Sequence, residues 1–370
     1  MRRASAFAPL PALLALLAAT PGLADTGGPP RPDRPLGVDT PGPLRALVLD
    51  LPLEDARPAG AALDVRWTLA NSWSVPTRLT RAGRTVLVQL DEQADRLAFT
   101  LRLPWARLAG AGPVTRRLDT ALEWRLTEHW GGYTDHAIEA WHRFGRYNDF
   151  GRPVYPRDAV ALHLGEPGGA ALFDLTAPRL AVGDLAVRTA LRLAEGERLG
   201  LPAALALRLD VKLPLGRPAD LGGSGGLDAG AGLGGSLPLL PGLTGHAQVA
   251  LRRVSPLPGG LPLRLRRWQL GAEASLVGWR GDWAVAVESR WLSALFERGW
   301  RVDGAPLQGD ALTAVTRSQN QVTVGLRWRW LTAWLSEDFT LGSRSAVGWI
   351  WFYDTNAPDV AAGLSLVQPL

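Results

Sequence analysis

The chain has 370 residues, a formal charge of +5 and no cysteine, and 46% of it is hydrophobic. Without cysteine there is no disulfide framework, no thiol nucleophile and no cysteine-ligated metal site. Lys212 is the only lysine among 40 basic residues, and the arginines alternate with apolar residues instead of forming a patch, which argues against nucleic acid as a partner.

In chain order, Arg2 and Arg3 precede an uncharged run from Ala4 to Ala19, and Gly22-Leu23-Ala24 follows. This positive, apolar, small-residue order predicts a cleaved secretory signal over residues 1–24. The run is too short for a comfortable membrane anchor, and Pro9, Pro11 and Pro21 interrupt it. Removing Arg2 and Arg3 from the count leaves +5 − 2 = +3. Residues 25–60 are rich in Pro and Gly with no sustained period, which predicts an N-terminal arm lying in the periplasm. No later run reaches the ~20 apolar residues a membrane helix needs. A chain that still crosses a membrane must then do so as a closed barrel, where every backbone group is paired.

Residues 61–370 carry that pattern. Val65, Trp67 and Leu69 alternate with Asp64, Arg66 and Thr68. Leu97, Phe99 and Leu101 alternate with Ala98, Thr100 and Arg102, and Leu122, Trp124 and Leu126 with Glu123 and Arg125. Leu207, Leu209, Val211 and Leu213 alternate with Arg208, Asp210 and Lys212, and Val324, Leu326, Trp328 and Trp330 with Arg327 and Arg329. Period two puts all the charges on one face. With an apolar, Trp-bearing face opposite, the pattern is that of an outer-membrane barrel, apolar to lipid and polar to the lumen. The fold class expected is therefore all-β, an antiparallel transmembrane barrel of about twelve strands. The strands predicted begin with 61–71, 84–103, 119–129 and 182–194. They continue with 203–213, 226–236, 244–254 and 265–279, and end with 283–292, 319–331, 333–341 and 357–367. Segment 226–236 is weakened by glycine, and 158–176 reads as a hairpin, in a loop or in the wall. Trp105, Trp130, Trp279, Trp283, Trp328, Trp330, Trp334, Trp349 and Trp351 sit near strand ends, as interfacial girdles do. With the N-terminus in the periplasm, connections 130–181, 214–225, 255–264 and 293–318 face outward and are long. The turns at 280–282 and near 332 face inward and are short, as in such barrels.

The lumen-facing candidates are Arg66, Arg102, Arg125, Arg208, Asp210, Lys212, Arg327 and Arg329. The longest insertion predicts a short helix from Thr134 to about Phe144, placed over or into the barrel mouth as a plug or lid. Its candidates are Asp135, His136, Glu139, Trp141, His142, Arg143 and Phe144. Glu128 and His129 lie beside it, yet the spacing matches no metal motif, and neither a metal nor another cofactor is expected. His129, His136, His163, Ser72 and Ser74 are the residue types a lipid-modifying enzyme needs, but no signature joins them.

The segments RPLGVDTPGPLRALVLDLPLEDAR, GGYTDHAIEAWHRFG, RPVYPRD, VGDLAVRTALRL, VKLPLGRPADLGGSGGLD and TNAPDVAAGLSL resemble a proteobacterial family called domain of unknown function 3187. The resemblance implies an outer-membrane barrel and carries no established activity. The chain departs from many such barrels in ending Val367-Gln368-Pro369-Leu370 rather than on an aromatic residue. The expected partners are outer-membrane lipid, the barrel assembly machinery and a small-molecule solute. A passive channel or transporter is the reading preferred; a lipid-modifying enzyme and a surface-binding or structural barrel are the alternatives.

Overall fold

The computed structural model describes residues 31–38, 42–57, 60–145, 155–297, 301–303, 318–340, 353–354 and 360–370. Its strands are β1 (Ala62–Arg81), β2 (Arg84–Pro104), β3 (Leu118–Trp130), β4 (Ala161–Gly165), β5 (Ala171–Leu175) and β6 (Arg179–Val182). They continue with β7 (Leu185–Arg198), β8 (Leu201–Leu213), β9 (Asp228–Leu240), β10 (Leu243–Arg253), β11 (Trp268–Arg280) and β12 (Trp283–Leu292). The last are β13 (Arg301–Asp303), β14 (Gln319–Trp328), β15 (Leu331–Thr340), β16 (Tyr353–Asp354) and β17 (Val360–Pro369). Two short helices, α1 (Trp105–Ala109) and α2 (Asp135–Gly145), interrupt them. None of the described helices is long and apolar enough to cross a membrane.

The wall runs β1-β2-β3-β6/β7-β8-β9-β10-β11-β12-β14-β15-β17, with β6 and β7 sharing one position beside β3. It closes where β17 pairs antiparallel with β1, from Ala62↔Pro369 to Asn71↔Val360. The result is a closed barrel of twelve strands, and all twelve predicted segments lie in it. The hairpin β4–β5 belongs to a long loop: β4 pairs with β2 from Leu87 to Asp91, beyond the end of β3.

Side chains alternate as the sequence demands. Along β12, Trp283, Val285 and Val287 are exposed while Ala284, Ala286, Glu288 and Arg290 are buried inside. From Trp283 to Trp291 is eight residues, roughly 26 Å along a strand at about 3.3 Å each. With the strand's tilt this matches an apolar band about 25 Å tall. Trp283 and Trp328 lie together at its lower rim with ring centroids 6.1 Å apart, and Trp268 and Trp291 lie near the upper one. Not every tryptophan joins a girdle. Trp279 and Trp334 turn inward and pack with Leu36, Val277, Ala284 and Ala286, because a lumen filled by another segment offers apolar cover there. Trp349 and Trp351 lie outside the described residues.

Four short connections, 199–200, 241–242, 281–282 and 329–330, gather at one end with the chain termini of the barrel, while the tight β1–β2 turn at 82–83 caps a long hairpin at the other. Above the opposite rim the loops build a second, dry core. Leu79, Val86, Val88 and Leu90 from the top of β1 and β2 meet Leu162, Leu164 and Phe173 from β4 and β5, with Leu263, Leu265, Leu295 and Phe296 from later loops.

Gly363 shows how tightly the closing seam is built. A Cβ there would lie 2.4 Å from the Trp334 ring and 2.5 Å from the Trp67 carbonyl oxygen. Gly363→Ala should therefore cost about 1–3 kcal/mol through overpacking. The check is the temperature at which the compact band on unheated SDS gels converts to the unfolded one, which falls in the variant.

Candidate functional site

The lumen is occupied by the N-terminal arm. Residues 31–38 form one leg and 49–57 the other, and a single-turn bend at Arg45–Leu47 forms the apex. This corrects the expectation of an arm in the periplasm: its described residues are largely buried inside the barrel. The reason is backbone chemistry. A segment without secondary structure must find partners for its N–H and C=O groups, and the inward charges of the wall supply them.

On the first leg, Arg327 donates to the carbonyl oxygens of Pro32, Arg34 and Pro35 at 2.8, 2.8 and 3.1 Å. Arg66 donates to Gly37 at 2.6 Å, while Glu288 accepts from the amides of Leu36 and Gly37. At the apex, Arg45 reaches Gln319 at 2.6 Å, and Lys212 donates to the Leu47 carbonyl at 3.0 Å while pairing Asp184 and Asp228. Leu44, Leu47 and Val48 enter the dry core of the loops. On the second leg, Asp228, Glu273 and Ser236 accept from the amides of Leu49, Leu53 and Ala56 at 2.9, 2.7 and 2.9 Å. Arg252 donates to the Leu49 carbonyl, Arg208 to that of Pro52 at 2.6 Å, and Arg290 pairs with Asp50.

The two legs are clasped at the lower end. Arg57 meets Asp33 at 2.5 Å and Asp55 at 2.7 Å, and Thr244 and His246 of β10 hold Asp33 from the wall. His246 donates from Nε2 to the Asp33 carbonyl, so its Nδ1 accepts from Ser236, a single ordered tautomer. Higher up, Glu54 lies 3.2 Å from Arg208, 3.4 Å from Arg102 and 3.7 Å from Arg188. Burial pushes its carboxyl up, but Arg208, Arg102 and Arg188 outweigh burial and hold it down at about 2.

The inner wall is shaped to this filling. A Cβ on Gly230 would lie 3.0 Å from Leu51 and 3.4 Å from Leu49, and one on Gly325 would strike Leu36 at 2.6 Å. The glycine of β9 that weakens its strand signal is a socket for the arm.

Of the lumen-facing candidates, Arg66, Arg102, Arg125, Arg208, Asp210, Lys212 and Arg327 do face inward. Arg329 does not. It sits in the tight β14–β15 turn at φ +51°, pairs with Asp282 at 2.9 Å and covers the Trp328 ring. Helix α2 is neither lid nor plug. Asn71 and Gln93 point away from the lumen, on the same face as Trp67 and Leu97, and they hold Asp135 and Thr134. The helix thus docks on the outer face of the long β1–β2 hairpin, above the apolar band. Asp135 also accepts from the amide of Asp158, and Glu139 is held by Arg157. His136, Arg143 and Phe144 are exposed; the side chains of Trp141 and His142 are outside the described set. Among the described residues no three His, Asp or Glu side chains converge as a metal site. His129 faces inward and meets Glu92 at 2.6 Å, and Ser72 stands opposite Glu92. His163 lies on the β4–β5 hairpin beside Asp174, far along the chain from the other candidates.

At the lower end the legs leave a cavity of 480 Å³ against β1, β2 and β17. Arg31, Arg34, Arg66, Arg102, Arg107 and Arg188 line it with Glu54, Asp55, Asp64 and Glu123, and apolar side chains complete it.

Residues 98–238 match the family described as "Protein of unknown function (DUF3187)". This stretch resembles that family. It contains the motifs GGYTDHAIEAWHRFG, RPVYPRD, VGDLAVRTALRL and VKLPLGRPADLGGSGGLD, so the resemblance expected from them is borne out there; the arm and the last strand lie outside it. No curated protein matches the sequence. Among solved structures, the COG4313 outer membrane channel from Pseudomonas putida F1 is 14% identical, over 85% of this chain and 97% of that one, with a TM-score of 0.44. A Pseudomonas aeruginosa FadL homologue is 8% identical over 84% and 90%, with a TM-score of 0.36. A TodX mutant monoaromatic hydrocarbon channel is 10% identical over 85% and 91%, with a TM-score of 0.35. The barrel architecture stands on the strand pairing of the chain itself.

Proposed function

We propose that the protein is a channel or transporter for small solutes in the outer membrane of a Gram-negative bacterium, held closed by its own N-terminal arm. The apolar band and the arginine-led signal-like start support the location. The observation that carries the function is how the lumen is filled. A barrel with a purely structural role can fill its interior with large wall side chains. Here the inner wall keeps Gly230, Gly325, Ala206, Ala250, Ala284 and Ala286 small, and a separate segment takes the space. Among its described residues that segment has no regular structure beyond its apex turn, so its backbone groups are held by wall side chains, and water can take over those hydrogen bonds when it leaves. With the arm displaced, the wall presents an aqueous path lined by Arg, Lys, Asp and Glu.

The absence of native cysteine makes the test clean. Leu51→Cys with Gly230→Cys joins the arm to β9 at a point of contact. In planar bilayers the oxidised pair should pass no current, and a reductant should restore the openings of the unmodified chain. Equal current in both redox states would overturn the arm as the gate.

A further inference from the structure

The cavity below the arm is more than a gap between the legs. Arg34 lines it and has no hydrogen-bond or ion-pair partner for its guanidinium among the described residues. Its Nε is boxed in, so the terminal nitrogens are what it offers to the cavity. Arg102, on the wall side, has among the described residues a single ion-pair contact, 3.4 Å to Glu54. Six guanidiniums line the space against four carboxylates. Beside them Pro35, Leu36, Leu53 and Val367 form an apolar flank. The volume of 480 Å³ falls within the roughly 300–1,000 Å³ usual for small-molecule sites.

We infer that this cavity binds a small amphiphilic monocarboxylate, with its carboxylate on Arg34 and its apolar body against Leu36, Leu53 and Val367. A guanidinium presents a planar fork that matches a carboxylate. Inorganic phosphate leaves the apolar flank uncovered, and a more highly charged ligand meets Glu54, Asp55, Asp64 and Glu123. A neutral alcohol leaves Arg34 without a partner. The site exists only with the arm seated, so it is separate from conduction. Loss of binding leaves the channel reading standing, and silence in bilayers leaves the binding site standing.

The experiment is calorimetric titration of octanoate into the folded full chain held in amphipol, with octan-1-ol and inorganic phosphate as parallel titrants. Octanoate should bind at a single site. The alcohol and phosphate should bind roughly tenfold more weakly or not at all, as expected when a charged hydrogen-bonded pair is missing. Arg34→Gln should weaken octanoate by a similar factor, while Arg329→Gln, in the exposed turn, should leave it unchanged. Ala62→Phe, which fills the cavity from β1 without removing a charge, should abolish binding too. Equal heats for octanoate in the unmodified chain and in Arg34→Gln, or equal affinity for octanoate and octan-1-ol, would overturn the inference.

Discussion

Excision of residues 31–57 should turn a silent or flickering barrel into a steadily conducting one, with a mean current higher by roughly tenfold or more, as expected when a lumen of twelve strands is emptied. The wall does not depend on the arm for its hydrogen bonds. Each strand pairs with both neighbours, and β17 seals against β1 over Ala62 to Asn71. What the excision removes is the filling: Leu36 from its socket at Gly325, Leu49 and Leu51 from Gly230, and the carbonyls that Arg327, Arg208 and Arg252 hold. Those side chains are then free to take water. The same excision removes Leu44, Leu47 and Val48 from the dry core of the loops, so the outer end loosens as well. Each fully buried Leu or Val contributes about 1.5–3 kcal/mol, and the heat-modification temperature should fall. A folded, heat-modifiable variant that stays silent at every voltage would rule the arm out as the barrier and favour a structural or surface-binding barrel.

The wall was legible because a barrel strand is a local pattern. Period two, with Arg or Asp on one face and Trp or Leu on the other, fixes which side meets lipid whatever the partner strand. The arm was read as periplasmic because its structure is not local: its amides and carbonyls find partners on β1, β8, β9, β10, β11, β12 and β14, up to 295 residues away. A signal was nonetheless there. Leu47, Leu49, Leu51 and Leu53 alternate with Val48, Asp50, Pro52 and Glu54, the mark of an extended segment with two different faces. Asp50 and Glu54 on one of those faces add carboxylates to inner arginines of the wall, Arg290, Arg102, Arg188 and Arg208. Helix α2 was placed correctly along the chain and wrongly in space. Its docking face, Asn71 and Gln93, lies where β1 and β2 rise above the apolar band, so the polar outer residues there have a protein partner rather than lipid. Arg329 followed the period of β14 one step too far, into a turn that the strand's alternation no longer governs.

Glu54→Ala should unseat the arm more than any other single substitution outside the clasp. Glu54 is the carboxylate shared by Arg102 of β2, Arg188 of β7 and Arg208 of β8. Removing one partner from a buried ionic cluster costs roughly 3–5 kcal/mol. The lower figure applies, because Glu123 still faces Arg188 and Asp210 still faces Arg208. About 3 kcal/mol shifts the seated-to-displaced ratio by on the order of a hundredfold, which single-channel recordings read as opening frequency. The same contact fixes a pH response. Bound among arginines the carboxyl is held at about 2, against an ordinary value of 4.5. A depressed pKa contributes its stability above 4.5 and loses it as pH falls from there toward 2. Openings of the unmodified chain should therefore stay level at higher pH and rise as the solution is acidified through that window. In Glu54→Gln, which cannot ionise, they should start high and lose that component of the rise. An acid response of the same size in both chains would assign the titration to other carboxylates and remove Glu54 from its place at the centre of the seal.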